Sequence, residues 1–439
     1  MGKMKDIGRA LAARFSGRQG QMLILFAMEG FLFQFVMSMS GSGGFGTNLY
    51  ATNLGATDTQ IGMVQLVANL AAVVMMLPAG IIADRTKNAK TVPVAIMLLL
   101  TVTYALYGTI PAFGAGRMTF FFLLLPLTAG MLAIYNAIWQ AFFGDVTPIR
   151  ERNRVYAFRN RSVYLIATIA PVVCGSLLTA MPDAGRKLTV LRVFFYLCAA
   201  FNLVNAWILS RIPGGQRSAE QLAQVPKISL RVIGRVVGEL ARSRRFLAYF
   251  LPVMLFYTTW HLDWSMWYIG QTQYIRLTEA ELSIYSALTS VGQLALIGLC
   301  SRMIERRGTK RTFVCSLVSL MFCPVFMLVC CALPAGVRAP AFIVLGTLIC
   351  APQAATNLCL VQMLLDAIPE KNRSLIVSLN MICVTLSNGL MPYLGVRLYS
   401  ALGADGRAFA AFMIIETIVR AASLLVYLLV QFRGRRAEK

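Results

Sequence analysis

Apolar stretches of about 20 residues recur along the whole chain, with short polar segments between them. An α-helix of this length crosses the roughly 30 Å hydrocarbon core of a bilayer. The stretches lack the period-two alternation of membrane barrel strands, so they predict helices. We predict twelve spans, at residues 22–46, 61–83, 91–112, 118–144, 160–181, 191–210, 246–269, 282–303, 312–333, 339–366, 374–399 and 407–431. The pattern therefore predicts an all-α membrane protein with 12 transmembrane helices.

A long polar segment at residues 211–245 divides the predicted spans six and six. It separates an N-terminal bundle, residues 22–210, from a C-terminal bundle, residues 246–431, with tails at 1–21 and 432–439. A shift of 221 positions aligns residues at equivalent places in the two halves, which predicts pseudo-symmetric repeats about an axis along the membrane normal. The aligned pairs are Asp84 with Glu305, Asn136 with Asn357, Asp145 with Asp366, Pro148 with Pro369, and Pro171 with Pro392.

Composition supports a lipid environment. Of 439 residues, 58% are hydrophobic and only 13% are charged, whereas soluble domains have roughly 25% charged residues. The net charge of +23 first suggests a nucleic-acid partner. However, 32 of the 41 basic residues lie in seven loops and tails on one side of the predicted spans. The positive-inside rule then places both termini in the cytoplasm, with the plasma membrane as the expected location, and leaves no support for nucleic-acid binding.

Cysteine and histidine usage gives no sign of a metal site. All ten cysteines fall inside predicted spans, and the chain has a single histidine. We therefore predict neither a disulfide framework, nor a metal site, nor a cofactor.

Ionisable residues inside the spans are few, and such residues commonly mark substrate or proton pathways. Glu29 lies in span 1, Asp263 in span 7, and Glu416 and Arg420 in span 12. The last two are spaced i, i+4, so we expect them to neutralise each other as a structural pair. Glu29 and Asp263 remain as candidates for proton coupling.

Span 7 carries the densest group of candidate substrate-binding residues: Trp260, His261, Asp263, Trp264 and Trp267. A carboxylate among aromatic rings can bind a cationic or hydroxylated substrate, or carry a proton. The alternative is an interfacial aromatic belt with Asp263 near water. The sequence leaves both interpretations open.

Amide side chains on other spans extend this set, and each could instead form an interhelical hydrogen bond. Asn136 and Asn357 come first because they are equivalent in the two repeats. The full group of candidates is Gln34, Asn136, Gln140, Gln293, Gln353 and Asn357. In the polar linker, residues 225–245 predict an amphipathic helix on the inner leaflet.

The loop after span 2, Gly80-Ile-Ile-Ala-Asp84-Arg85, resembles the cytoplasmic signature of the major facilitator superfamily. Its repeat carries Glu305, Arg306, Gly308, Lys310 and Arg311. The loops from Asp145 to Arg154 and from Asp366 to Arg373 are similar to the family's loops after spans 4 and 10. This resemblance implies a cytoplasmic gate made of Gly80, Asp84, Arg85, Asp145, Arg152, Arg154, Glu305, Arg306, Asp366 and Arg373.

The resemblance implies a secondary transporter that moves a small organic solute by alternating access, with a binding site near the bilayer midplane. We expect a monomer whose partners are its solute, the bilayer and protons. Efflux is favoured, and uptake or facilitated diffusion of a sugar-type or other organic solute is the alternative. An intramembrane enzyme using His261 and Asp263 is disfavoured because residues i and i+2 do not face each other on a helix. A sensor on the same fold is a further alternative.

Overall fold

The computed structural model describes residues 17–40, 45–148, 150–218, 230–369 and 373–437. Within its helices, side chains are described for all but residues 45, 77–84, 140–141, 153, 230, 297–298, 301, 373–375 and 432–437. This part of the chain is almost entirely helical and has no strand, in agreement with the predicted fold class.

The chain forms two compact units. Unit 1 comprises Met1–Gly55, Ala71–Val173 and Met181–Lys227. Two long helices, Asp58–Arg85 (α3) and Arg152–Thr179 (α6), contribute residues to both units. The other described helices of unit 1 are Gly17–Ser40 (α1), Phe45–Asn53 (α2), Thr91–Thr109 (α4), Arg117–Val146 (α5) and Ala184–Arg211 (α7).

Unit 2 comprises Ala56–Leu70, Cys174–Ala180 and Ile228–Lys439. Three of the predicted spans are here divided into two consecutive helices. The helices are Leu230–Arg242 (α8), Arg244–Leu262 (α9), Trp264–Ile269 (α10), Glu279–Arg307 (α11), Thr309–Met321 (α12), Cys323–Ala332 (α13), Ala335–Cys350 (α14), Gln353–Ala367 (α15), Arg373–Ala401 (α16) and Gly406–Ala437 (α17).

Each predicted span falls on one helix or on a consecutive pair. Among the described residues, nine helical stretches have the length and hydropathy of a membrane span. One of them, Thr91–Trp139, is 49 residues long and includes two predicted spans. The chain is therefore an integral, multi-pass membrane protein, and the count of twelve stays a prediction.

Each unit has apolar side chains both in its buried core and on its exposed surface. In unit 1, α4 packs along α7, and the Tyr104, Tyr107 and Phe195 rings between them are buried. Large aliphatic side chains remain exposed on the helices, among them Val74 at 71% and Leu348 at 65%. A soluble protein rarely exposes so much apolar surface, so this surface is the one that contacts lipid.

The predicted amphipathic linker helix is found as α8, and residues 219–229 before it lie outside the described residues. Its Val236 and Leu240 are buried against Phe246 and Ile376 of the unit 2 core. Part of its apolar stripe therefore packs on protein, while Val237 and the arginines stay exposed.

Candidate functional site

Span 7 is interrupted at the residue singled out in the sequence. Asp263 lies between α9 and α10 with φ −93° and ψ 1°, outside both helices. Gly395 of α16 makes the close approach to this break possible, because a Cβ there would lie 2.0 Å from the Leu262 carbonyl oxygen. Interrupted helices are a recurrent way of building sites inside membrane proteins.

Asp263, Glu416 and Arg420 form one buried group, here called the charge cluster. Arg420 Nη2 lies 2.7 Å from Asp263 Oδ1, and Arg420 Nε lies 2.6 Å from Glu416 Oε1. The Arg420 side chain is 7% exposed, that of Asp263 4% and that of Glu416 0%. Arg420 also donates to the carbonyl oxygens of Leu320, at 2.7 Å, and Trp260, at 3.4 Å.

The charge cluster contains more acid than base. The expectation that Glu416 and Arg420 neutralise each other is incomplete, since the same guanidinium also pairs with Asp263. Two carboxylates share one cation, which leaves a net charge of −1 when both are ionised. The second oxygen of Glu416 is buried and has no hydrogen-bond partner among the described residues. An uncompensated buried charge is costly, and binding one proton removes it.

The rest of the span 7 group also lies in unit 2, where the Trp260 carbonyl oxygen accepts from Arg420. His261 is 2% exposed, and its Nδ1 lies 3.0 Å from Ser387 Oγ on α16. Trp260 is buried, and Trp264 and Trp267 are partly buried and pack against the unit 2 core. The burial of Asp263 and Trp260 differs from the interfacial alternative, which places Asp263 near water, while the choice between the two interpretations stays a prediction.

Glu29, the other candidate for proton coupling, has a complete set of partners in unit 1. It is fully buried; its two oxygens accept from Arg159 Nε at 2.6 Å and Nη2 at 3.1 Å, and Tyr135 Oη donates at 2.7 Å. Arg159 also lies over the Trp139 ring, 4.0 Å from its centroid. Arg159 is one of the 32 basic residues assigned to loops and tails from the sequence; this assignment is wrong because α6 begins at Arg152, eight residues before the predicted span. This pair is electrically neutral.

The amide candidates divide into paired and exposed residues. Gln293 Nε2 donates to Gln353 Oε1 at 3.1 Å, an interhelical bond in unit 2. Gln34 lies 3.4 Å from Ser38 Oγ on its own helix. Asn136 and Asn357, on α5 and α15, are both exposed. The side chain of Gln140 lies outside those described.

Asp145, expected in the gate, pairs with a residue that the sequence did not indicate. Arg217 donates to Asp145 Oδ2 from Nη2 at 2.5 Å and from Nε at 3.0 Å. The backbone of residues 215–217 also bonds to the loop at 87–89, through Arg217 N to Lys87 O and Ala89 N to Gly215 O. The start of the linker therefore ties the loop after α3 to the end of α5.

The other expected gate residues do not form such a network in the described part of the chain. Arg152 donates to the carbonyl oxygens of Gly144 and Thr147 at the end of α5. No ion pair is found for the exposed residues Arg85, Arg154, Glu305, Arg306 and Asp366. The side chains of Gly80, Asp84 and Arg373 lie outside those described.

Unit 2 includes two short segments from the first half of the sequence, and glycines allow their contacts. A Cβ on Gly175 of α6 would lie 1.9 Å from Ser283 Oγ and 2.5 Å from the Glu279 carbonyl oxygen of α11. A Cβ on Gly389 would lie 3.0 Å from Asn69 of α3. At Gly175 the close atoms include a backbone oxygen, so a larger residue there requires α6 or α11 to move, whereas at Gly389 the nearest backbone oxygen, that of Leu66, is 3.5 Å away.

The sequence indicated the buried ionisable residues but not all of the residues with which they form ion pairs. The 2-to-1 ratio of acid to base was visible once Asp263 and Glu416 were both placed inside spans with Arg420. A buried Glu29 also requires a cation, and Arg159 is one of the basic residues nearest to a span boundary. Nothing in the sequence pattern indicated Arg217 as a partner of Asp145.

Comparison with known proteins agrees with this architecture. The Major Facilitator Superfamily profile matches residues 30–276 and 263–439. No curated protein sequence matches the chain. Among solved structures, a variant of the nucleoside transporter NupG is similar, with 14% identity and a TM-score of 0.67 over 94% of this chain and 100% of the other. A bacterial homologue of the iron transporter ferroportin, in an inward-facing state, has 14% identity and a TM-score of 0.67 over 94% and 98%. A D-xylose–proton symporter has 12% identity and a TM-score of 0.63 over 93% and 96%.

Proposed function

Because this chain belongs to the Major Facilitator Superfamily, and is thus a membrane transporter rather than an enzyme, we propose that it couples the movement of a small organic solute to protons. The charge cluster is the observation that carries this proposal. It has two carboxylates for one guanidinium, and its side chains are at most 7% exposed. One bound proton makes it neutral.

Proton binding at the charge cluster provides a physical link to conformational change. Arg420 is held by groups on α9, the break after α9, α12 and α17. Adding or removing the proton changes the attraction between Arg420 and each carboxylate, and so changes how tightly these helices are held together. A transporter that binds a proton and its solute in the same cycle uses this kind of link.

Solute binding is proposed for the exposed amides. Asn136 and Asn357 lie on helices with the composition of membrane spans, and an amide facing lipid would lack hydrogen-bond partners. Neither has a hydrogen-bond partner among the described residues. We therefore place both beside water, where they can bond a hydroxyl, amide or carboxylate group of a solute.

The similar structures suggest which solutes to test first. They include a nucleoside transporter, a D-xylose–proton symporter and a POT family transporter in complex with 5-aminolevulinic acid. Purified protein in proteoliposomes should be assayed with labelled nucleosides, pentoses, hexoses and small amino acids. Each solute is tested with a pH gradient in either direction and with none, which also determines the direction of transport.

We expect a pH gradient to accelerate solute flux. We also expect the pH inside the proteoliposomes to change in proportion to the amount of solute moved. Glu416→Gln should abolish this acceleration while keeping solute exchange at equal pH, because the cluster then stays neutral without a proton. Glu281 is a half-buried acid in the capping box of α11. Glu281→Gln keeps an oxygen that can accept the Thr278 N–H, so it is the matched control and should transport like the wild type. Wild-type flux that ignores the gradient would reject proton coupling and favour facilitated diffusion. Absence of flux for every solute in both directions would count against transport and favour a sensor.

A further inference from the structure

A cavity of about 530 Å³ opens between α12 and α17 in unit 2. Three basic residues line it: Arg307, Lys310 and Arg311. They come from the end of α11 and the first turn of α12, joined through Gly308, which has φ 78°. The position is on the predicted cytoplasmic side of the chain.

The charged residues that the structure describes in this cavity are all basic. Its described lining includes no aspartate or glutamate. Arg307, Lys310 and Arg311 are exposed and have no ion pair within the part of the chain that the structure describes. Three adjacent cations without counterions repel one another, and an anion bound among them removes this repulsion.

The remaining walls of the cavity are those of a membrane helix pair. Val314 lies one turn after Lys310 on α12, and Leu428 lies opposite on α17. The cavity thus has a basic region followed by an apolar one. A soluble anion such as inorganic phosphate would use only the first part, whereas a phospholipid places its phosphate by the cations and an acyl chain along the apolar wall.

We propose that this cavity binds an anionic phospholipid from the leaflet on the predicted cytoplasmic side. Basic pockets between membrane helices on this side suit anionic headgroups. Each lysine or arginine near an anionic surface strengthens binding about fivefold. Three of them therefore give the site a marked preference for phosphatidylglycerol over phosphatidylcholine.

The test measures the number and affinity of lipids retained by the detergent-purified transporter, using native mass spectrometry during titration with each lipid. Wild-type protein should retain phosphatidylglycerol at least about tenfold more tightly than phosphatidylcholine. The triple variant Arg307→Gln/Lys310→Gln/Arg311→Gln should lose this preference. An unchanged preference in the triple variant would overturn the proposal.

A second triple variant controls for general surface charge. Arg231→Gln/Arg235→Gln/Arg242→Gln removes three exposed arginines from α8, outside the cavity, and should keep the preference within about twofold. An equal loss in this control would show that diffuse surface charge, not the cavity, attracts the lipid.

Two further measurements separate a lipid from a free anion. Val314→Ser/Leu428→Ser should weaken phosphatidylglycerol binding, and millimolar inorganic phosphate should not displace the lipid. Displacement by phosphate together with no effect of the serine substitutions would reduce the site to an anion site and reject the lipid. Cys315 lines the cavity and is the one exposed cysteine of the ten, so phosphatidylglycerol should also slow its alkylation, measured by peptide mass spectrometry.

Discussion

Replacing residues of the charge cluster tests whether it is one electrostatic unit with an excess of acid. Arg420→Met removes the only cation and leaves Asp263 and Glu416 buried together. Losing one partner of a buried ion pair costs about 3–5 kcal/mol, because the remaining charge has no compensation. Arg420 serves two carboxylates and two carbonyl oxygens, so we expect a loss at the upper end of this range.

Two companion variants give the opposite expectation. Glu416→Gln leaves one carboxylate for one guanidinium, so the free energy of unfolding should stay within about 1 kcal/mol of the wild type or rise. Adding Asp263→Asn and Glu416→Gln to Arg420→Met removes every charge, and should recover most of the lost stability, since well-packed uncharged replacements of buried ion networks are often neutral.

The measurement is equilibrium unfolding of each purified variant in the same mixed micelles at neutral pH, with Arg231→Gln on the exposed face of α8 as the surface control. If Glu416→Gln loses as much stability as Arg420→Met, then Glu416 and Arg420 form a self-contained pair and our account of the cluster is wrong. If the fully neutral variant is no more stable than Arg420→Met, the loss comes from packing and not from uncompensated charge.

Three further substitutions test the other contacts. Gly175→Val should lower the transport rate at unchanged expression, because a side chain there collides with α11. Gly336→Val is the control and should have little effect, since a Cβ there meets nothing within 4 Å. The measurement is the initial rate of transport in proteoliposomes. Asp145→Asn removes the partly exposed ion pair with Arg217, worth about 0.5–1 kcal/mol. The free energy of unfolding should therefore change little while the transport rate changes. The charge swap, Asp145→Arg combined with Arg217→Asp, should restore the rate. Asn136→Ala should raise the half-saturating solute concentration in counterflow without lowering stability; an unchanged value would remove it from the binding site.

Local features of the sequence predicted most of the fold. Hydropathy over about 20 residues depends on neighbouring positions alone, so it located the helices, although some of their ends differ by up to about eight residues. The resemblance to the superfamily is confirmed by its sequence profile. The errors lie at helix ends. The helix α6 begins at Arg152, not near residue 160, because the arginines of its first two turns made this stretch look like a loop. The charge of one of these arginines, Arg159, is compensated by an ion pair with Glu29.

The candidate site was harder to predict because its contacts join distant parts of the chain. The i, i+4 spacing of Glu416 and Arg420 is local, and the structure has this ion pair at 2.6 Å. The contact of Arg420 with Asp263 joins residues 157 positions apart, which no periodicity reveals. Arg217 and Asp145 are separated by 72 positions. Pairing at such distances depends on how helices pack.

The predicted internal repeat favours a functional role for the charge cluster over a role in folding. The same shift of 221 positions that aligns the loops places Glu416 on Phe195 and Arg420 on Ala199. Both of these are buried in unit 1, so an equivalent helix packs there with apolar side chains. A membrane helix in this position therefore needs no charge to fold, and an acid-rich cluster only adds desolvation cost. The helices are repeated in the two halves, but the buried charges of the charge cluster are not. We therefore expect transport to depend on these charges of unit 2.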